Sequence, residues 1–204
     1  MSTRLLLVRH GETDAAVTGR TQGRIDNPLN ARGEAQARAL VERLARERPT
    51  AIYSSPAARA LATAAPLEVA LGLEALRDTR LLEMDYGDFD NLTGAELRER
   101  HPDFMRSWAE EDPTTLRMPG GETLSEVQAR MLAVVAEIER ARVGEVVAVF
   151  SHGFALRTLI CAVLGVPVGG FRRVRLDLAS VSIIEVSDAG RIVVQLNEAC
   201  HIPD

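Results

Sequence analysis

Lysine is absent from this chain, and all 24 of its basic residues are arginine. That absence excludes a lysine nucleophile, a Schiff base and an ammonium clamp on phosphate. Any anion site must be built from arginine, histidine, backbone amides and helix N-termini. Cysteine is nearly as scarce. Cys161 and Cys200 stand far apart, a spacing that fits no metal-binding pattern and predicts reduced, inert thiols in a cytoplasmic protein. No apolar run approaches the roughly 20 residues of a membrane span. The first residues carry no basic segment leading into a long apolar stretch and a cleavage site, so secretion is not expected. Positive charge is also in deficit: the net charge of −5 argues against a general nucleic-acid or anionic-membrane binder. Neither internal repeats nor low-complexity tracts interrupt the chain.

What is present is ordinary for a globular protein, with 204 residues, 46% hydrophobic and 26% charged. This suffices for a single domain over residues 1–204, burying about 70% of its extended-chain surface. Near the N-terminus, Leu5-Leu6-Leu7-Val8 stops abruptly at Arg9, His10 and Gly11. So short an unbroken apolar run reads as a fully buried strand. Its C-terminal end would lie at the sheet edge where α/β folds place ligands. A histidine beside an arginine suits an anionic substrate: one group attacks or moves protons, the other neutralises charge. The pair fits a plain polar strand end equally well.

Hydrophobic periodicity predicts alternating strands and helices, the pattern of an α/β layer fold. Residues 4–9, 50–55 and 145–151 read as strands. A helix from its N-cap Asn30 to about Arg48 buries Ala37, Leu40, Val41 and Leu44. Another begins near Ala57, carries Arg59 in its first turn and is expected to break at Pro66. Leu81 and Leu82 lead into Glu83 on a short extended segment. Thr123 and Glu126 form a capping-box pair, followed by the apolar stripe Val127, Met131, Val134 and Ile138. Residues 153–164 read as a helix closed by Gly165 and Pro167. Residues 180–186 and 191–196, joined by Ser187-Asp188-Ala189-Gly190, read as a β-hairpin. One sheet edge can thus collect His10, Arg59, Glu83 and His152.

Arg9-His10-Gly11-Glu12-Thr13 resembles the histidine phosphatase family, also called phosphoglycerate-mutase-like. The similarity continues through Gly19-Arg20-Thr21-Gln22-Gly23 and Pro28-Leu29-Asn30-Ala31-Arg32-Gly33 with Gln36-Ala37. It recurs at Tyr53-Ser54-Ser55-Pro56, Arg59-Ala60 with Thr63-Ala64, and Leu82-Glu83 with Gly87. Pro119-Gly120-Gly121-Glu122-Thr123 and Ser151-His152-Gly153 complete it, in the family's order and over about residues 4–165. The resemblance implies a three-layer α/β sandwich with a mostly parallel central sheet flanked by helices. It also implies a C-terminal antiparallel hairpin and a small helical cover over the active site at about residues 88–121.

The chemistry it implies is metal-independent hydrolysis of a small phosphomonoester through a phosphohistidine, with no cofactor. His10 is then the nucleophile and Glu83 the general acid, with Arg9, Arg59 and His152 around the phosphoryl oxygens. Gln22, Gly23, Thr13 and Gly153 bind substrate. Physical reasoning agrees. Flanking arginines favour a neutral imidazole, and a backbone carbonyl on its other nitrogen would fix the tautomer. Guanidinium forks match phosphoryl oxygens, and amides at the helix start near Gly153 add dipoles. Glu83 must be protonated to release an alcohol, then ionised to activate water.

The chain departs from the family at Ala16, where members commonly carry asparagine, and at Phe89-Asp90-Asn91, where Trp-Glu-Gly is frequent. Asparagine tolerates left-handed geometry, so the turn is expected to survive. Glu12 is either a structural partner for an arginine or a substrate contact. Arg20 and Arg32 read as surface or salt-bridge residues. Asp85 and Asp88 are solvated unless they hold Arg9 or Arg59. His101 is expected to be exposed, and His201 to take no part. Phe104, Met105, Trp108, Leu116 and Met118 either line the pocket mouth or pack a minor helix. Glu110-Glu111-Asp112 discourage highly anionic substrates only if they face the pocket. A short cover favours an open, hydrolytic site. The alternatives are a cofactor-dependent phosphoglycerate mutase and an inactive phosphate-binding regulatory domain. The expected partner is a small phosphorylated metabolite: a sugar phosphate, a phosphoglycerate derivative or ribazole phosphate. A homodimer through the hairpin's outer edge stays open beside an internally capped edge.

Overall fold

Along residues 5–8, successive side chains point to opposite faces of a sheet. Leu5 and Leu7 enter one buried apolar cluster, Leu6 and Val8 another, as the period of an extended backbone requires. Both faces are covered, which is why the run is apolar without alternation. The computed structural model describes residues 2–202. In chain order its elements are β1 (Thr3–Arg9), α1 (Asp14–Val17), α2 (Ala31–Ala45), β2 (Ala51–Ser54), α3 (Ala58–Leu71) and β3 (Ala75–Arg77). There follow α4 (Gly94–Arg100), α5 (Pro102–Glu110), α6 (Leu124–Ala141), β4 (Val146–Ser151), α7 (Gly153–Val163), β5 (Val181–Ser187) and β6 (Gly190–Glu198).

The sheet order is β3-β2-β4-β1-β5-β6. The strands from β3 to β1 run parallel, and β5 and β6 are antiparallel. From α2 and α3, Leu40, Leu44, Ala64 and Leu67 pack with Leu6, Val8, Ile52 and Phe150. From α6 and α7, Val127, Met131, Val134, Ile138, Leu156 and Leu159 pack with Leu5, Leu7, Val147 and Val149. The result is the expected three-layer α/β sandwich with a terminal antiparallel hairpin. At its outer edge, Ile192, Val194 and Leu196 of β6 are exposed. Among the described residues, no helix is long and apolar enough to cross a membrane.

Local signals explain most boundaries. Asn30 caps α2 by accepting from the Gly33 amide, and Thr123 with Glu126 forms the full capping box of α6. Two expectations fail, and one strand was not expected. Pro66 does not break α3, which continues to Leu71 and ends at Gly72 with φ +66°. The missing proline amide would have served the carbonyl of Ala62, an exposed residue whose carbonyl water can reach. Leu81 does not belong to an extended segment leading into Glu83 but closes a 3-10 turn at Thr79–Leu81, and the chain extends only from Leu82. The strand β3 is too short to leave a periodic trace.

Candidate active site

Parallel register places Arg9 of β1 beside Ser151 of β4, so His10 and His152 leave neighbouring strands together. Their ring centroids lie 5.2 Å apart. Beside them opens a cavity of about 490 Å³, at the carboxyl edge where parallel sheets bind ligands. Of the expected residues, Arg9, His10, Gln22, Glu83 and Gly153 line it. Arg59, His152, Thr13 and Gly23 stand behind its wall.

The carbonyl of Gly11 lies 2.8 Å from Nδ1 of His10. A carbonyl can only accept, so the proton of the neutral ring sits on Nδ1 and the Nε2 lone pair is free. Burial, reinforced by the Arg9 and Arg59 charges, holds His10 well below the usual histidine range. The ring is therefore neutral.

Arg9 donates Nη1 to the Leu176 carbonyl at 2.6 Å, whereas its buried Nε has no partner. Gly153 makes room for this guanidinium, since a Cβ there would meet Arg9 Nε at 3.3 Å. Burial draws Arg9 below its ordinary value, opposed by the Glu83 charge and reinforced by that of Arg157.

Arg59 is fully buried. It donates Nε to His152 Nδ1 (3.2 Å), Nη1 to the Ile25 carbonyl (3.0 Å) and Nη2 to those of Gln22 (2.7 Å) and Gly23 (3.1 Å). His152 Nε2 in turn donates to Ser55 Oγ at 2.8 Å. Both ring nitrogens of His152 thus have protein partners, and no phosphoryl-directed donor remains on the neutral ring in this arrangement. Burial, reinforced by the Arg59 charge, holds His152 well below the usual range.

The loop carrying Gln22 is clamped from both sides. Opposite Arg59, the Asp90 carboxylate accepts from the amides of Gly23 (2.7 Å), Arg24 (2.8 Å) and Ile25 (3.0 Å). Asn91 takes φ +65°, the left-handed geometry expected of it. Thr13 does not face the cavity. It caps α1 and donates to Gln22 Oε1 at 2.7 Å, which leaves the amide nitrogen of Gln22 for a ligand. Gly23 is obligatory because a Cβ would meet the Met84 carbonyl at 2.8 Å.

Just past Gly153, which lines the cavity, the first amides of the helix hold Glu83. Its carboxylate accepts from the amides of Met84 (2.9 Å), Phe154 (3.0 Å) and Ala155 (3.0 Å). Arg130 secures this segment by donating to the carbonyls of Arg80 (2.7 Å), Leu82 (2.6 Å) and Glu83 (3.0 Å). Sequence reasoning missed Arg130, whose contacts exist only across layers. It also missed Arg157, Tyr86 and Asp177 on the cavity wall. Arg157 was findable, because it shares a helix face with Gly153 one turn earlier.

The remaining candidates resolve simply. Glu12 is structural, accepting from Asn30 (3.0 Å) and lying 3.7 Å from Arg32. Arg20 both lines the cavity and pairs with Glu96 at 3.3 Å. Asp85 pairs with Arg24 (3.3 Å) rather than with Arg9 or Arg59. His101 is half-buried against Phe89, 4.6 Å between centroids, and not exposed. His201 is also engaged: its Nε2 lies 3.0 Å from the Ala179 carbonyl, and the Ala179 amide donates to the His10 carbonyl at 3.1 Å. Phe104, Met105, Trp108 and Met118 line a separate apolar cavity of about 150 Å³, which shares only Thr21, Tyr86 and Phe154 with the first. Leu116 and Glu110-Glu111-Asp112 line neither. Among the described residues, no group of three or more His, Cys, Asp or Glu is placed to hold a metal.

Two histidines, a guanidinium with an unpartnered Nε and a carboxylate meet at one parallel-sheet edge, a set of groups suited to phosphoryl transfer. The profile of the histidine phosphatase superfamily (branch 1) matches residues 5–199, and the chain belongs to that superfamily. It is a phosphomonoesterase-type enzyme. Phosphoserine phosphatase 1 of Hydrogenobacter thermophilus is 35% identical, over 98% of this chain and 94% of its own length. A protein of Enterobacter sp. named probable phosphoglycerate mutase GpmB is 34% identical, over 96% of this chain and 93% of its own. A mycobacterial glucosyl-3-phosphoglycerate phosphatase, solved with VO3, superposes with TM-score 0.87 at 32% identity, covering 96% of this chain and 99% of that one.

Proposed function

We propose that this protein hydrolyses small phosphomonoesters in the cytoplasm through a phosphohistidine on Nε2 of His10, without a metal. The observation that carries this reading is the pairing of His10 Nδ1 with the Gly11 carbonyl, which leaves a neutral ring with a free Nε2 lone pair. Nε2 attacks phosphorus as the ester P–O bond breaks, and Glu83 gives its proton to the departing oxygen. The Glu83 carboxylate then takes a proton from water, whose oxygen displaces His10 from phosphorus. Arg9 Nε and the Gln22 amide supply donors to the phosphoryl oxygens, the charge stabilisation such transfer needs. The phosphatase names of two relatives support hydrolysis, and the unpaired state of both cysteines fits a reducing compartment.

Phosphate release from a panel of phosphomonoesters, with a chelator present, tests the proposal on wild type and His10→Ala. Expected are chelator-insensitive release and an acid-labile phosphoryl label, both lost in the variant. One relative carries a mutase name. Interconversion of monophosphoglycerates faster than phosphate release would move this chain to that activity.

A further inference from the structure

From Arg80 to Glu83, each main-chain carbonyl accepts a hydrogen bond from a side chain on another element. Ser151 Oγ, at the end of β4, donates to Leu81 at 2.7 Å. Arg130 of α6 serves the other three, with Nη1 on Arg80 (2.7 Å) and Leu82 (2.6 Å) and Nη2 on Glu83 (3.0 Å). Its two remaining hydrogens go to the Glu122 carboxylate, Nε to Oε1 at 2.8 Å and Nη2 to Oε2 at 3.0 Å. All five N–H groups of the guanidinium are thus engaged. Glu122 completes the brace, because its Oε2 also accepts from the Asp85 amide at 2.8 Å. The main chain is gripped on both sides of Met84, whose side chain is fully buried.

Glu83 lies on no helix and no strand, so no backbone ladder fixes its position. The amides of Phe154 and Ala155 orient the carboxylate only if the main chain holds it within their reach. Proton transfer needs donor and acceptor within hydrogen-bond distance, and a displacement of about 1 Å can cost about a hundredfold in rate. Arg130 does not line the cavity. None of its hydrogen bonds reaches Arg9, His10 or Gln22.

We infer that Arg130 is a positioning residue for proton transfer, holding Glu83 where its carboxyl meets the departing oxygen. This rests on the phosphatase reading above. A residue that only stabilised the fold would slow every ester alike. One that acts through Glu83 slows an ester according to its need for a proton.

The probes are glycerol 3-phosphate, whose leaving alkoxide must be protonated, and p-nitrophenyl phosphate, whose leaving group departs without a proton. kcat/KM is measured for wild type, Arg130→Met, Glu83→Gln and the double variant, each where circular dichroism shows it folded. Arg130→Met should lower kcat/KM about ten- to a hundredfold on glycerol 3-phosphate and less than about threefold on p-nitrophenyl phosphate. In the Glu83→Gln background it should cost less than about twofold more on glycerol 3-phosphate, since the group it positions no longer supplies a proton. Arg130→Lys should recover little, because an ammonium offers three donors to five acceptor atoms. Should Arg130→Met not fold, Glu122→Gln loosens the same brace and should show the same imbalance between esters, about three- to tenfold. Equal losses on both esters would make Arg130 a stabiliser of the fold and overturn the inference. So would no loss, or losses that multiply in the double variant. A wild type that releases no phosphate from any ester removes the phosphatase reading and this inference with it. An active wild type without the imbalance in its variants removes the inference alone.

Discussion

The Nε of Arg59 donates to Nδ1 of His152 at 3.2 Å, and this contact decides which proton the histidine carries. Arginine cannot accept, so His152 presents a lone pair at Nδ1 and keeps its hydrogen on Nε2, where Ser55 Oγ receives it at 2.8 Å. The pair joins α3 to the end of β4 and forms the wall behind the nucleophile. The same guanidinium holds three carbonyls of the loop that carries Gln22. One side chain thereby positions the second histidine and a phosphate-facing amide.

Replacing that guanidinium with an apolar group should strand four acceptors, of which His152 Nδ1 and the Gly23 carbonyl are buried. Arg59→Leu should cost about 3 kcal/mol of stability, the scale of buried polar groups left unsatisfied. Urea unfolding measures this. Arg59→Lys, which keeps the charge but cannot reach all four acceptors, should fall between the two. A variant as stable as wild type would show that the loop does not depend on these bonds.

Stability should fall as acidity rises below about pH 6.5, the ordinary histidine value. His10 and His152 are held well below that value by burial and neighbouring arginines. The unfolded chain then binds protons that the folded chain refuses, so protonation favours unfolding. With two such groups the slope approaches about 2.7 kcal/mol per pH unit below pH 6. Urea midpoints between pH 7 and pH 5 give the slope, and His152→Asn should remove about half of it. An unchanged slope in that variant would mean that His152 does take up a proton in the fold.

Glu83→Gln should separate the acid role from binding. The amide cannot supply the proton that an alkoxide leaving group needs, so kcat/KM for an alkyl phosphate, which reports phosphorylation of His10, should fall about 10²- to 10⁴-fold. With p-nitrophenyl phosphate, whose leaving group departs unprotonated, the loss in kcat/KM should be below about tenfold, while kcat falls for both esters because Glu83 also activates water. Steady-state kinetics on both esters give the comparison. Equal losses in kcat/KM would assign Glu83 to holding the site together through its amide contacts, not to proton transfer.

How much of this was legible in the chain can be read from particular residues. The run Leu5–Val8 announced β1 because a strand covered on both faces has no polar alternation to obscure it. Asn30 and the Thr123–Glu126 pair announced helix starts because capping is a local bargain between a side chain and amides three residues away. His10, Glu83 and Gln22 were findable through the ordered motif blocks, and the structure places all three on one cavity. Pro66 misled because its cost depends on whether its orphaned carbonyl meets water, which composition does not reveal. Asp90 looked like a departure from pattern, yet it accepts three amides of a loop distant in sequence.

By itself, then, the sequence determined the layered α/β class and the helix starts, and its ordered motif blocks supplied the candidate site residues. Class and helix starts follow from period and capping, which act over a few residues. Only the tertiary structure decided which side chains face the ligand. It turned Arg59 and His152 into a supporting wall and bound the first amides of α7 to Glu83. A hydrogen-bonding group's role depends on which partners reach it first, and here those partners come from other strands and helices. Packing, not local pattern, brings them within 3 Å.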